Sequence, residues 1–143
     1  MNKIGTIDIS RLNSPPEKAE FETAKYFAEL GKDIVFIDPS DIPNQHTPDI
    51  KMDGAEWEIK CPTGDSKRTI ENNMRKAVKQ SHNIIFDLRH TKLSESKSIA
   101  KLEHEFKINT RLKKLYIIRK DRTLLSYKNN VDFSLPRDII KIR

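Results

Sequence analysis

The chain has 143 residues, a length that points to one domain, residues 1–143, able to bury its own core. Hydrophobic residues at 36% beside charged residues at 34% describe a globular protein with a heavily charged surface, and no apolar run reaches the roughly 20 residues that span a bilayer. The net charge of +6 points to an anionic partner, and the single cysteine, Cys61, excludes an internal disulfide.

Met1 to Leu12 lacks the apolar run of a signal peptide. Ser14-Pro15-Pro16-Glu17 then opens a predicted helix with a capping residue, prolines in the first turn and an acid. Phe21, Ala24, Tyr26, Phe27, Ala28 and Leu30 continue it, and Gly31 is the predicted stop. Ile34 to Ile37 reads as a short strand, and Asp38 to His46, with Pro39 and Pro43, as a loop. Asp53-Gly54 is a hairpin-turn signal between predicted strands 47–52 and 55–60.

Pro62 to Asp65 breaks the second of these strands. Ser66 to Gln80 carries Ile70, Met74, Ala77 and Val78 at helical spacing. Asn83 to Leu88 is a continuous apolar strand, residues 95–112 form a predicted helix, and Leu115 to Ile118 is another buried strand. Asp121-Arg122 turns the chain into Thr123 to Tyr127, and Ile139, Ile140 and Ile142 suggest a last short strand. The order predicts an α/β fold: a mixed central sheet flanked by helices, with a C-terminal helix and hairpin.

Positive charge is concentrated in two segments. Residues 60–79 hold Lys60, Lys67, Arg68, Arg75, Lys76 and Lys79; residues 107–122 hold Lys107, Arg111, Lys113, Lys114, Arg119, Lys120 and Arg122. A solvated lysine-rich face explains such segments, and beside a phosphodiesterase site a nucleic-acid track explains them better. His46, His82, His90 and His104 lack zinc spacing, and Cys61 reads as a core or strand-end residue because no histidine is near it in sequence.

The stretch Pro48-Asp49 to Glu58-Ile59-Lys60 carries the chemistry. On a strand, Glu56, Glu58 and Lys60 share one face, while Trp57 and Ile59 point to the core. The hairpin folds Asp49 back against Glu58 and Lys60. Two carboxylates hold a hard cation such as Mg²⁺, and a cation with a lysine stabilises charge on a transferring phosphoryl group. Glu56 is a neighbour of this set. Ser66 reads as a cap, Lys67 and Thr69 stand where free helix N–H groups meet a phosphate, and Gln80 is placed to contact substrate or the lysine. Asp87 needs either a sheet edge or a partner.

The helix-strand order with Pro48-Asp49, the Asp53-Gly54 turn and Glu58-Ile59-Lys60 resembles the PD-(D/E)xK nuclease superfamily, the restriction-endonuclease-like fold with an α-β-β-β-α-β core, over roughly residues 16 to 88. A closer resemblance is to the tRNA-nuclease type of CdiA C-terminal toxin domain. It rests on Glu22 to Gly31, Pro48-Asp49, Asp53-Gly54, Glu58-Ile59-Lys60, Lys79-Gln80 and Ile84 to Leu88. These resemblances imply catalytic Glu22, Asp49, Glu58 and Lys60, a metal held by Asp49, Glu58 and the Ile59 carbonyl, and Mg²⁺ with Mn²⁺ or Zn²⁺ as alternatives. Glu22 is taken as the helix-one acid; Glu20, two residues away, faces elsewhere on a helix. The resemblances also imply a tRNA substrate, a cognate immunity protein, no membrane association of the domain, and delivery into the bacterial cytoplasm as the end of a larger secreted or surface protein. A DNA endonuclease of the same fold and a non-catalytic basic nucleic-acid-binding module are the alternatives.

Overall fold

The computed structural model describes residues 3–39 and 47–129. Seven strands form one sheet in chain order: β1 (Ile7–Asp8), β2 (Ile34–Phe36), β3 (Ile50–Met52), β4 (Ala55–Lys60), β5 (Asn83–Asp87), β6 (Lys114–Ile118) and β7 (Leu124–Lys128). Three helices join them: α1 (Lys18–Glu29), α2 (Thr69–Ala77) and α3 (Glu95–Ile108). From α1 to β5 the order is the α-β-β-β-α-β expected from the sequence. β1 was not expected: its two residues carry no alternating signal of their own, and it forms by pairing in parallel with Ile34 and Val35. The strand expected near Ile139 to Ile142 lies outside the described residues.

β4, β5 and β6 are parallel, and α2 and α3 cross between them. Two like-handed crossovers place both helices on one face of the sheet. There Ile70, Met74, Ala77, Leu102 and Phe106 bury Ile84, Phe86, Leu115 and Ile117. The alternate residues of the same strands, Ile85 and Ile118, turn to the opposite face, where α1 brings Ala24, Phe27 and Ala28. Trp57, fully buried, stacks on Tyr116 with ring centroids 4.7 Å apart and donates its indole N–H to the Met52 carbonyl at 3.0 Å.

The local signals act mostly as expected. Gly31 adopts φ +94°, Gly31 N–H bonds Ala28 C=O, and Lys32 N–H bonds Phe27 C=O: a Schellman stop for α1. Asp53 and Gly54 have φ of 54° and 74°, the paired positive values of a type I′ hairpin. The start of α1 differs. The helix begins at Lys18 after Glu17, which makes no side-chain cap, so Ser14 and both prolines lie ahead of it. α2 runs Thr69–Ala77, shorter than 66–80: Gly64 packs against Thr69 ahead of it, and Lys79 and Gln80 N–H groups bond three residues back in a tighter turn after it. α3 ends at Ile108, not 112.

Asp87, alone among apolar strand residues, has the partner its burial requires. Arg89 Nη2 lies 2.8 Å from its Oδ2, and Thr23 Oγ1 donates to the same oxygen at 2.7 Å. Burial opposes its charge, and these hydrogen bonds more than offset that, holding the carboxyl below the ordinary value. Arg89 also donates to the Glu22 carbonyl at 3.2 Å and stands over the Tyr26 ring, so the network pins α1 to the sheet. Arg89→Ala is expected to destabilise the fold by about 3–5 kcal/mol in urea unfolding, because it strands a buried carboxylate. Asp87→Asn in that background should recover part of the loss.

Candidate active site

The site lies where the sheet changes partners. β3 pairs with Ala55, Glu56 and Trp57, and β5 takes over at Glu58, Ile59 and Lys60. Asp49 precedes the first residue of β3. Its N–H bonds the Trp57 carbonyl at 2.9 Å, and its Oδ2 accepts the Ile59 N–H at 2.8 Å, in place of a ladder carbonyl. The carboxylate is thereby held beside Glu58, and the two lie within hydrogen-bonding reach.

Glu58 is 5% exposed. Its Oε2 lies 3.2 Å from the Lys60 ammonium, and its Oε1 is buried with no hydrogen-bond partner among the described residues. Burial, then the charge of Asp49, pushes the Glu58 carboxyl up to about 8 despite Lys60. Burial also raises Asp49, against the opposing pull of the Ile59 N–H and Lys60.

The α1 acid that the fold brings beside Asp49 is Glu20, whereas the expected Glu22 lies elsewhere. Glu20 lies within hydrogen-bonding reach of Asp49; burial first, then the charges of Asp49 and Glu17, push it up to about 7. The reason is helical phase. Glu20 stands one turn ahead of buried Thr23 and Ala24, on the face α1 turns to the sheet. Glu22 is two residues round, toward Arg89.

Glu20 and Asp49 open onto a cleft of about 480 Å³, also lined by Glu17, Asp38, Pro16 and Phe36. Four carboxylates on one cleft repel a phosphate unless a cation lies between. Among the described residues no three His, Cys, Asp or Glu side chains are spread as a ready-made cation shell; Asp49 is instead shared between Glu20 and Glu58.

Of the remaining expected residues, Ile59 touches this cluster through its backbone and the others lie in other contacts. Ile59 buries its side chain in the core and commits its N–H to Asp49. Glu56 is exposed, and its carbonyl holds Ser81 and Asn83. Gln80 lines a pocket of about 250 Å³ with Pro48, Glu56, Arg111 and Lys113, its Oε1 buried and unpartnered among the described residues. Ser66 accepts the Arg68 N–H at 3.2 Å, Thr69 carries the first turn of α2, and Lys67 lines a groove toward α3. Cys61 is no nucleophile: burial pushes its thiol up to about 11, so thiolate is scarce at neutral pH.

Comparison with known proteins now bears on this fold and site. The contact-dependent growth inhibition CdiA C-terminal domain family matches residues 45–124, more than half of the chain and the whole of the Asp49 to Lys60 hairpin. The chain belongs to the CdiA C-terminal domain family. It is thus a growth-inhibition toxin domain of the kind that ends a larger protein. A solved structure of similar fold is the CdiA-CT/CdiI toxin and immunity complex from Burkholderia pseudomallei, with a TM-score of 0.58 and 20% identity over 87% of this chain and 99% of that one. No curated protein matches. Among the described residues of this CdiA C-terminal domain, no helix is long and apolar enough to cross a membrane.

Proposed function

We propose that this domain is a metal-dependent endonuclease of the PD-(D/E)xK type that hydrolyses phosphodiester bonds of RNA, with tRNA as its substrate. The observation that carries the reading is buried Glu58 grouped with half-buried Asp49 and Glu20, with Lys60 at the edge. Packing two half-buried carboxylates against a buried one is costly, and a hard divalent cation is a partner that relieves it. The donors suit such an ion in kind, though not as a ready-made shell: every side-chain donor is a carboxylate oxygen, and the buried Glu58 Oε1 lacks any other partner among the described residues. Asp49 and Glu58 would hold the ion, Mg²⁺ by the hardness of its ligands, with Mn²⁺ or Zn²⁺ as alternatives. The Ile59 carbonyl and Glu20 would assist.

When bound, a divalent cation supplies Lewis acidity toward phosphoryl oxygens and lowers the pKa of water. Lys60 does the rest of the electrostatic work. Its ammonium, 3.2 Å from Glu58 Oε2, is held where it orients an attacking water or offsets negative charge developing on the phosphoryl group. Asp49, anchored by two backbone hydrogen bonds, keeps the acids in register through that step.

The toxin family supports action in the cytoplasm of a target bacterium, and the immunity protein bound to the Burkholderia pseudomallei relative supports a cognate immunity partner here. The tRNA substrate rests on the resemblance of the hairpin motifs to the tRNA-nuclease toxins. The test is to express the chain in bacteria and sequence RNA ends. Discrete tRNA breaks that vanish with Asp49→Ala are the expected result. Breaks in DNA alone would replace RNA by DNA. Salt-sensitive binding without metal-dependent cutting of either would replace the enzyme by a binding module.

A further inference from the structure

A groove of about 550 Å³ lies between α2 and α3, on the sheet face opposite α1. Four lysines line it: Lys67 from the loop after β4, Lys92 from the loop after β5, and Lys97 and Lys101 on successive turns of α3. Leu93, half-buried, supplies apolar surface above the buried Ile70, and Asp65 is the one carboxylate in the lining. Among the described residues only Lys101 of the four is in an ion pair, with Glu105 at 3.4 Å. The capped N-terminus of α3 adds its positive dipole end beside Ser94.

The groove's position matters as much as its charge. Lys60 and Phe86 are register partners in β4 and β5, so the loops that build the groove leave the sheet side by side, at the end where Lys60 stands. Asp65 is five residue steps from Lys60, a reach of at most about 18 Å. The basic segment 107–122, which looked in the sequence like the track, is partly engaged elsewhere: Arg119 pairs with Glu95 and Arg122 with Glu29. Lys92, Lys97 and Lys101 lie in neither basic segment of the sequence.

We infer that this lysine groove carries the backbone phosphates of a single-stranded polynucleotide leaving the Asp49–Glu58–Lys60 site. The inference rests on the nuclease reading above. Mobile ammonium groups along an open groove suit a flexible strand whose phosphates face the lysines, with half-buried Leu93 beside them.

The test is binding of an oligouridylate of roughly 12 nucleotides, within the span single-strand channels cover, in a chelating buffer at several salt concentrations. Each phosphate contact contributes about 0.7 to the log–log salt slope, so Lys67→Gln/Lys92→Gln/Lys97→Gln/Lys101→Gln should reduce its magnitude by about 3. The same four positions changed to arginine should keep the slope. A charge-matched control, Lys3→Gln/Lys18→Gln/Lys25→Gln/Lys128→Gln, should reduce it by less than about 1. Equal reductions in groove and control variants would overturn the inference. So would an unchanged RNA slope with lost binding of polyglutamate, which would make the groove the face for an acidic protein. Wild-type chain that cuts no nucleic acid in Mg²⁺ would sink the nuclease reading, while a groove variant that cuts and binds like a wild-type enzyme would sink the groove alone.

Discussion

Asp49→Ala and Lys60→Ala are each expected to lower Mg²⁺-dependent RNA cleavage by about 10²–10³-fold, the usual cost of removing a preorganised charge from a transition state. The loss should fall mainly on kcat for Lys60→Ala, because its ammonium acts on charge that develops during the step. The helix-one acids give the sharper comparison. Glu20→Gln should cost roughly 10–100-fold, as groups that orient metal ligands do, and Glu22→Gln no more than a few-fold. Of these two helix acids, Glu20 is the one beside Asp49. Single-turnover cleavage of bulk tRNA measures all four variants. Wild-type rates for Asp49→Ala, or equal losses for Glu20→Gln and Glu22→Gln, would remove the site proposed here.

In a chelating buffer, the unfolding free energy should fall as the pH rises from about 5 to about 8. The sign follows from linkage. Glu58 and Glu20 keep their protons up to about 8 and about 7 in the fold, against an ordinary value of 4.5. Over that window the native state binds more protons than the unfolded chain, so raising the pH favours unfolding. Glu58→Gln should be as stable as wild type near pH 5 and more stable near pH 8, by roughly 1–3 kcal/mol, because a buried oxygen without a partner is costly chiefly when charged. Millimolar Mg²⁺ should reverse the fall for wild type and do so less for Asp49→Asn. Urea unfolding at the two pH values, with and without Mg²⁺, reads each arm. Stability that climbs over this range in chelator would mean the acids are not crowded as described.

Much of the fold was legible because its signals are local. Gly31 and Asp53-Gly54 announce positive φ, and the apolar runs at Ile84 to Leu88 and Leu115 to Ile118 announce buried parallel strands. Asp49 and Glu58 were legible together because a two-residue turn sets hairpin register, and register decides which side chains meet. Two kinds of feature were not legible. β1 exists only as a partner for β2. The groove lysines come from two loops and a helix, and their meeting depends on crossovers that no window of sequence contains.

The chain order of elements, the hairpin turn and the Asp49, Glu58 and Lys60 set follow from local chemistry: turn dihedrals, strand alternation and apolar runs act over a few residues. The tertiary structure chose Glu20 over Glu22, because the rotation of α1 is set by which stripe it buries against the sheet and by the Thr23–Asp87–Arg89 network. It placed Gln80 and Lys67 in separate pockets, divided the basic residues between ion pairs and an open groove, and buried Glu58 deeply enough to change its acidity. Burial and charge proximity depend on distances between elements, and those distances exist only once the sheet and its helices have assembled.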